Sequence, residues 1–299
     1  MYDIGIVGGG IAGMTAAIYG LRAGKKVLLL EGTGFGGQMT LTSHIENYPG
    51  IQKISGNELA QNLKAQVEEL GVEIKRASVK EILVQDQEKI IITEQEEFPC
   101  KALILATGQT HRKLGVPGED QFAGMGVSYC AVCDGAFFKG MNVAVVGGGS
   151  TALEDVAYLA NHCNKVYVIH RRDAFRGEVY LVQNLKEKEN VEFILNSIVT
   201  EIKGSFAVEE IKLRNVLTKA ESNLPVEGVF IAIGQIPGNE RYAGLVDLDE
   251  KGYIKAGEDC KTSREGIFAA GDCRTKAVRQ LVTAAADGAI AALGATEIC

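Results

Sequence analysis

Proline occurs five times in 299 residues, and the 36 glycines show no G-x-y period and no gathering into Gly/Ser linkers, which excludes a collagen-like or linker-dominated chain. No apolar stretch reaches the ~20 residues needed to cross a bilayer. Asp287 interrupts the longest candidate, near the C-terminus. The chain begins Met1-Tyr2-Asp3 and enters an apolar run at once, leaving no room for a charged n-region and a cleavable h-region, so a cytoplasmic protein with no membrane partner is expected. Seven cysteines are an odd number without the density of a secreted disulfide scaffold, and read as thiols that pack or do chemistry. Basic residues are not in surplus either. With 31 Lys and Arg against 38 Asp and Glu, the net charge of −7 argues against nucleic acid or an anionic membrane surface as the main partner.

What is there is an ordinary globular mixture, 46% hydrophobic and 23% charged, of a length for which two domains are the default. Glycine stands out at about 12%, where roughly 7% is usual. Much of that surplus lies in a repeat. An apolar strand, Asp3 to Val7, runs into Gly8-Gly9-Gly10-Ile11-Ala12-Gly13, then a helical pattern from Met14 to Ala23 and a second strand from Lys26 to Leu30. Asn142 to Val146 likewise runs into Gly147-Gly148-Gly149-Ser150-Thr151-Ala152, a helix to about Ala160 and a strand from Lys165 to Ile169. Each is a βαβ unit with G-x-G-x-x-G/A in its turn. Such a turn must bring backbone against a pyrophosphate lying on the N-terminus of the next helix, where a Cβ would intrude.

The two units differ at one decisive place. Twenty-three residues beyond the first glycine stand Glu31 in the first unit and His170 in the second. A carboxylate there bonds ribose hydroxyls and repels a 2′-phosphate, which suits the adenosine of FAD or NAD. The second unit instead offers His170-Arg171-Arg172 with Arg176. Two guanidiniums on a 2′-phosphate would favour NADP over NAD by up to ~10²–10⁴. The economical pair of cofactors is FAD and NADPH, and a protein holding both passes a hydride from nicotinamide to flavin.

Cys130-Ala131-Val132-Cys133-Asp134 carries the single C-x-x-C of the chain, a short way before Gly147 and therefore on the path into the second unit. With no second C-x-x-C and no H-x-x-x-H, zinc is not expected, nor any other metal. The spacing can close a small disulfide ring, and a helix N-terminus here would lower the first thiol toward a thiolate, so thiol–disulfide exchange is the expected exit for the electrons. Asp134 is placed to act as general acid/base for a leaving thiolate or as an N-cap, and the two roles are not exclusive.

In these motifs the chain resembles the low-molecular-weight, bacterial-type thioredoxin reductases of the pyridine nucleotide-disulfide oxidoreductases. Gly8 to Gly13, Gly36-Gly37-Gln38, Glu46 to Gly50, Ala106-Thr107-Gly108, Cys130 to Gly135, Gly147 to Ala152, His170-Arg171-Arg172 with Phe175-Arg176, and Gly271-Asp272 occur in the order of that family, over essentially the whole length. The resemblance implies a homodimeric flavoenzyme that uses NADPH to reduce thioredoxin or a thioredoxin-like protein. It implies Cys133 as the thiol beside the flavin, Cys130 as the thiol that attacks the substrate and Asp134 as the acid. It further implies Gly8, Gly10, Gly13, Glu31, Gly37, Gln38, Asn47, Gly108, Asp272, Arg279, Gln280 and Leu281 on FAD, and Gly147, Gly149, Ser150, Thr151, His170, Arg171, Arg172 and Arg176 on NADPH. Two positions depart from the pattern: Gln235 stands where some members have histidine, and Ala136 precedes Phe137-Phe138 where an immediate aromatic pair is usual. An NADPH–flavin oxidase or a peroxidase-coupled disulfide reductase of the same fold is the alternative.

The fold expected is α/β, with two Rossmann-like three-layer dinucleotide-binding domains. The FAD domain is discontinuous, 1–115 with 239–299, and the NADPH domain, 116–238, is inserted in it and carries the C-x-x-C. A short meander is expected from Val191 to Thr218, and a helix starting near Leu281 would aim its positive end at reduced flavin. Because the inserted domain carries both the nicotinamide and the cysteine pair, a swing of that domain is expected to present them to the flavin in turn.

Overall fold

The computed structural model describes residues 1–42, 45–85, 87–175 and 179–299, and its chain divides into two compact units, Met1–Thr110 with Ile236–Cys299, and His111–Gln235. Arg176 lies outside the described residues. The α-helices are α1 (Ile11–Arg22), α2 (Gly56–Glu69), α3 (Ala131–Asp134), α4 (Ser150–Leu159), α5 (Val179–Lys186) and α6 (Leu281–Thr296). Among the described residues no helix is long and apolar enough to cross a membrane.

The first unit is built on a sheet of β1 (Tyr2–Val7), β2 (Val27–Leu30), β3 (Glu73–Lys75), β4 (Glu81–Gln85), β5 (Glu88–Ile92) and β6 (Glu97–Leu105) in the order β3-β2-β1-β6-β5-β4. β1 is parallel to β2 and β6, with Ile4 opposite Val27 and Ala102. The strand Ile267–Ala269, in the segment that returns to this unit, also pairs parallel with β6. β5 pairs with both β4 and β6 antiparallel. The near-continuous apolar runs of β1, β2 and β6 follow from burial on both faces. Ile4, Ile6, Val27, Leu29, Ala102 and Ile104 meet α1, α2 and α6 on one side. Leu28, Leu30, Leu103 and Leu105 meet Ile91, Phe98, Tyr242 and Ile254 on the other. α1 and α6 approach so closely that a Cβ on Gly288 would lie 2.2 Å from the Ala12 carbonyl oxygen.

The second unit repeats the plan. Its parallel strands are ordered Val191–Ile194, Lys165–Ile169, Asn142–Gly147, Gly228–Ala232 and Val127–Ser128. Helices α4 and α5 cover Val143, Val145, Val166, Val168 and Phe230. The antiparallel strands Ser197–Gly204, Val208–Asn215 and Glu221–Pro225 bring Val199, Ile202, Ile211 and Leu213 against Ala144, Val146, Val229 and Ile231 on the opposite face. The expected meander is corrected at both ends. Val191–Ile194 joins the parallel sheet beside Lys165–Ile169, and the third antiparallel strand lies beyond Thr218. Four half-buried or exposed residues, Val-Glu-Phe-Ile, carry no signal that tells a sheet edge from a meander.

Candidate active site

Both glycine loops end in a helix whose first turn is left open. α1 is N-capped by Gly10 and α4 by Gly149, neither with a side-chain cap and neither with an acid in the first turn. Their orphan N–H groups, with the positive end of the helix dipole, form an anion site. Gly8 has φ +113°, and a Cβ there would lie 2.2 Å from the Ala106 carbonyl oxygen, so the turn closes only with glycine. Around Gly10 and Gly149 the space where a Cβ would sit is open, which leaves room for a pyrophosphate. A Cβ on Gly13 would lie 1.9 Å from the Gly8 oxygen and one on Gly147 2.4 Å from the Ala232 oxygen, so the backbone is closely packed at both loops.

The 23-residue spacing places Glu31 and His170 equivalently, each at the second glycine of its loop. Glu31 Oε2 accepts the Gly9 N–H at 2.6 Å, while Oε1 accepts from Thr33 N, Thr33 Oγ1 and Gly34 N at 2.7, 2.9 and 3.0 Å. Burial alone would raise this carboxyl, but those donors outweigh it and hold it below the usual carboxylate range. Glu31 is therefore an anion, with acceptor capacity left on Oε2 for a ribose hydroxyl. His170 is buried, with Nε2 3.1 Å from the Ala174 carbonyl oxygen and its ring stacked on Phe175 at 5.1 Å. A Cβ on Gly148 would lie 2.2 Å from that ring, so the imidazole packs under the loop. Arg171 and Arg172 are exposed, and among the described residues neither has an ion-pair partner. Ser150 opens α4 half-buried and Thr151 is exposed beside it.

A second cluster gathers the flavin candidates of the first unit. Asp272 is largely buried, and its Oδ1 has no hydrogen-bond partner among the described residues. Burial pushes its carboxyl up, against the pull of Lys276 and Arg279. An orphaned buried acceptor in the unit that carries an open glycine loop fits the hydroxyls of a ribityl chain, and FAD fits this unit. Gln109 Nε2 lies 3.4 Å from Asp272 Oδ2, and Tyr253 Oη donates to Gln109 Oε1 at 3.0 Å. The Arg279 guanidinium sits 4.1 Å from the Tyr253 ring centre and reaches the Asp272 and Arg274 carbonyls. Asn47 Nδ2 donates to Gln280 Oε1 at 3.3 Å, bringing those two candidates together. Gln280 caps α6, where Leu281 is the first helical residue, and its N–H donates to Thr283 Oγ1 at 3.1 Å. Gly37 approaches Gly10, Gln38 is exposed beside it, and Gly108 lies just after β6 at φ +66°.

The same unit encloses a buried ion network that no local motif announces. Asp287 accepts from Arg274 Nε and Nη2 at 2.9 and 2.8 Å, from Lys276 Nζ at 2.8 Å and from Gly271 N–H at 3.0 Å. Burial would raise Asp287, but Arg274 and Lys276 hold it below the usual range. A charge inside the otherwise apolar α6 is the signal for it, but its cationic partners lie 11 and 13 residues earlier, in a loop.

In the second unit Cys130 and Cys133 form a disulfide. Cys130 is the N-cap of α3, and its Sγ accepts the Cys133 N–H at 3.2 Å. The Asp134 carboxylate accepts from Ser128 Oγ at 2.6 Å and makes no cap hydrogen bond to the following turn. Glu119, buried, accepts from Leu114 N, Gly115 N and Tyr129 Oη at 3.0, 2.7 and 2.9 Å, and His111 stacks on the Tyr129 ring at 4.9 Å. On α4, Asp155 is pushed up to about 7, first by burial and then by Glu154. Ala136 is exposed between the buried Gly135 and the half-buried Phe137, and Gln235 is half-buried. The free thiols Cys100, Cys163, Cys260 and Cys273 are buried, and the described residues hold no group of three or more His, Cys, Asp or Glu that could bind a metal.

Two open glycine loops and a C-x-x-C disulfide in one chain are the parts of a flavin- and nicotinamide-dependent disulfide oxidoreductase, and the model of the pyridine nucleotide-disulphide oxidoreductases matches residues 2–288. The chain belongs to that family. The thioredoxin reductases of this family use FAD and NADPH. A thioredoxin reductase of Listeria innocua is 43% identical over 99% of this chain and 93% of that protein. The crystal structure of a thioredoxin reductase from Streptococcus pyogenes superposes with a TM-score of 0.96, at 42% identity over 100% of this chain and 98% of that one. A Lactococcus lactis thioredoxin reductase, described as in its FR conformation, gives a TM-score of 0.68 at 43% identity over 100% and 99%. The oxidoreductase fold and the similarity therefore extend along the whole chain.

Proposed function

We propose that this chain is an NADPH-dependent thioredoxin reductase, a cytoplasmic homodimer whose substrate is the disulfide of thioredoxin or a thioredoxin-like protein. The observation that carries the reading is the Cys130–Cys133 disulfide in a unit with its own open glycine loop, with Asp134 hydrogen-bonded close by. The first unit is the FAD domain and the second the NADPH domain. Gly8, Gly10, Gly13 and Glu31 hold the adenosine diphosphate part of FAD, and Asp272, with Asn47, Arg279 and Gln280, holds the ribityl and ring part. Gly147, Gly149, Ser150 and Thr151 hold the NADPH pyrophosphate, and Arg171 and Arg172 its 2′-phosphate. Bound FAD, reduced by NADPH, supplies the two electrons that open the cysteine pair.

The chain's own side chains carry the exchange itself. Cys130 is the attacking thiolate, favoured by the N–H that Cys133 aims at its sulfur. A bond forms between Cys130 Sγ and one sulfur of the substrate as the substrate's own S–S bond breaks. The leaving thiolate takes a proton from Asp134. Asp134 then takes the proton of Cys133, whose thiolate attacks Cys130 Sγ, re-forming the pair and expelling the second substrate sulfur as a thiolate, to which Asp134 passes that proton. Val132, half exposed between the cysteines, belongs to the surface that meets the substrate.

The test is steady-state reduction of thioredoxin by NADPH, with ferricyanide as an acceptor that bypasses the cysteines. Cys133→Ser is expected to abolish thioredoxin reduction and leave ferricyanide reduction. Loss of both would make the pair structural, and electron flow to oxygen or a peroxidase module with no thioredoxin reduction would favour the oxidase alternative.

A further inference from the structure

The hydroxyl of Ser128 joins the acid to the attacking cysteine. Ser128 is buried on the short strand Val127–Ser128. Its Oγ lies 2.6 Å from Asp134 Oδ2, accepts the Cys130 N–H at 3.1 Å and stands 3.4 Å from the Cys130 carbonyl oxygen. A serine hydroxyl has one hydrogen and two acceptor sites, so this geometry holds two arrangements. With Asp134 ionised, Ser128 donates to Oδ2 and accepts the Cys130 N–H. With a proton on Oδ2, the acid donates to Ser128 Oγ, the Cys130 N–H still donates to it, and the serine hydrogen turns to the Cys130 carbonyl.

We propose that Ser128 is a positioning residue for thiol–disulfide exchange: it aligns Asp134 with Cys130 and transmits each change in Asp134 protonation to the Cys130 backbone. The inference rests on the thioredoxin-reductase reading and deepens it. No atom is gained or lost at Ser128, because its hydrogen turns back to Oδ2 when Asp134 delivers its proton to the leaving thiolate. The elements packed around Asp134 bring a short set of titratable groups. Its own helix α3 brings Cys130 and Cys133, the turn Gly135–Phe138 brings none, and the residue before Cys130 is Tyr129, whose hydroxyl is taken by Glu119. α4 brings Glu154, Asp155 and Tyr158, with the Tyr158 ring against Gly135. The Ser128 hydroxyl is one of the groups that set the acid, since a hydrogen bond to an ionised carboxylate stabilises that form selectively.

The experiment is the pH profile of thioredoxin reduction by the FAD-loaded enzyme and its Ser128→Ala, Ser128→Thr, Asp134→Asn and Asp155→Asn variants. It is paired with infrared titration of the protonated-carboxyl band that Asp134→Asn removes. Ser128→Ala is expected to lower kcat about tenfold near neutrality and to raise both the alkaline limb and the Asp134 titration by about one pH unit. Ser128→Thr, which keeps the hydroxyl, restores both, and Asp155→Asn leaves the limb in place although Asp155 itself is pushed up to about 7. A uniform loss in Ser128→Ala with an unmoved Asp134 band, failure of Ser128→Thr to restore, or a limb that follows Asp155 overturns the proposal. Failure of the wild-type enzyme to reduce thioredoxin, or a profile indifferent to Asp134→Asn, would instead remove the reading on which it rests.

Discussion

In the first unit the residue just after the second strand, Glu31, collects four donors and stays charged. In the second the equivalent residue, His170, is an aromatic platform buried under its glycine loop. In the proposed function the same backbone plan would serve two nucleotides by exchanging one side chain. The anionic unit would exclude a 2′-phosphate by its own charge. The other would leave its recognition to Arg171 and Arg172, which stand exposed. The units differ equally in what they bury. The first encloses the ion network of Asp287 with Arg274 and Lys276, whereas the second encloses Glu119 on two backbone N–H groups and a tyrosine hydroxyl. The first unit thus buries a carboxylate among cations, and the second buries one among neutral donors.

Breaking the ion network should give the largest effect. Arg274→Ala leaves Asp287 buried beside a single cation, and the first unit is expected to lose about 3–5 kcal/mol, read as a shifted urea midpoint or as faster amide exchange in β1 and α6. The second unit is expected to keep its protection, which makes the effect a test of the comparison and not of stability at large. The pH dependence carries a definite sign. The folded-state pKa of Asp287 is depressed, so its stabilisation is present above the ordinary carboxylate pKa and disappears as pH falls through the lower folded value. Wild-type protein should lose first-unit stability as the medium is acidified below about pH 4, and Arg274→Ala should show a flatter slope there.

The second effect is one of specificity. Removing one exposed guanidinium, Arg172→Ala, is expected to lower the preference for NADPH over NADH by ~10–10²-fold with little change in NADH affinity, measured as the ratio of kcat/KM values. A change that falls equally on both nucleotides would assign Arg172 to the pyrophosphate and undo the contrast with Glu31. His170 enters differently. Its ring is buried, stacked on Phe175 and packed under the glycine loop at Gly148.

The glycine loops, the C-x-x-C-D segment and the continuous apolar strands are legible in the sequence because each is local. A turn that must admit a phosphate, or a strand buried on both faces, restricts a handful of consecutive residues. Asp287, Tyr253 and Gln109 cannot be read that way. Their meaning comes from partners brought near by the return of the chain to the first sheet, such as the Tyr253 hydroxyl on Gln109, which is 144 residues away in sequence. Ser128 is an intermediate case. It stands two residues before Cys130, but nothing in a serine within a short strand shows that its hydroxyl faces the carboxylate six positions later.

The smallest effect concerns helix ends, and it sets the two glycine loops against an ordinary helix start. α2 begins in the usual way: Ser55 Oγ accepts the Glu58 N–H at 3.1 Å, and Glu58 places a negative charge in the first turn. α1 and α4 forgo both devices. An N-cap contributes about 1 kcal/mol, so leaving two helices without one is a stability cost unless something else takes those N–H groups. Ser55→Ala should lower stability by about 1 kcal/mol, with the affinities for FAD and NADPH unchanged. Gly149→Ser tests the other side. If the open N-terminus of α4 is kept for a phosphate, a side-chain cap there should raise the thermal stability of the nucleotide-free protein and weaken NADPH binding, because the serine oxygen takes donors that the phosphate would otherwise accept from. An increase in stability with unaltered NADPH binding would mean that the open helix end is not used by the nucleotide.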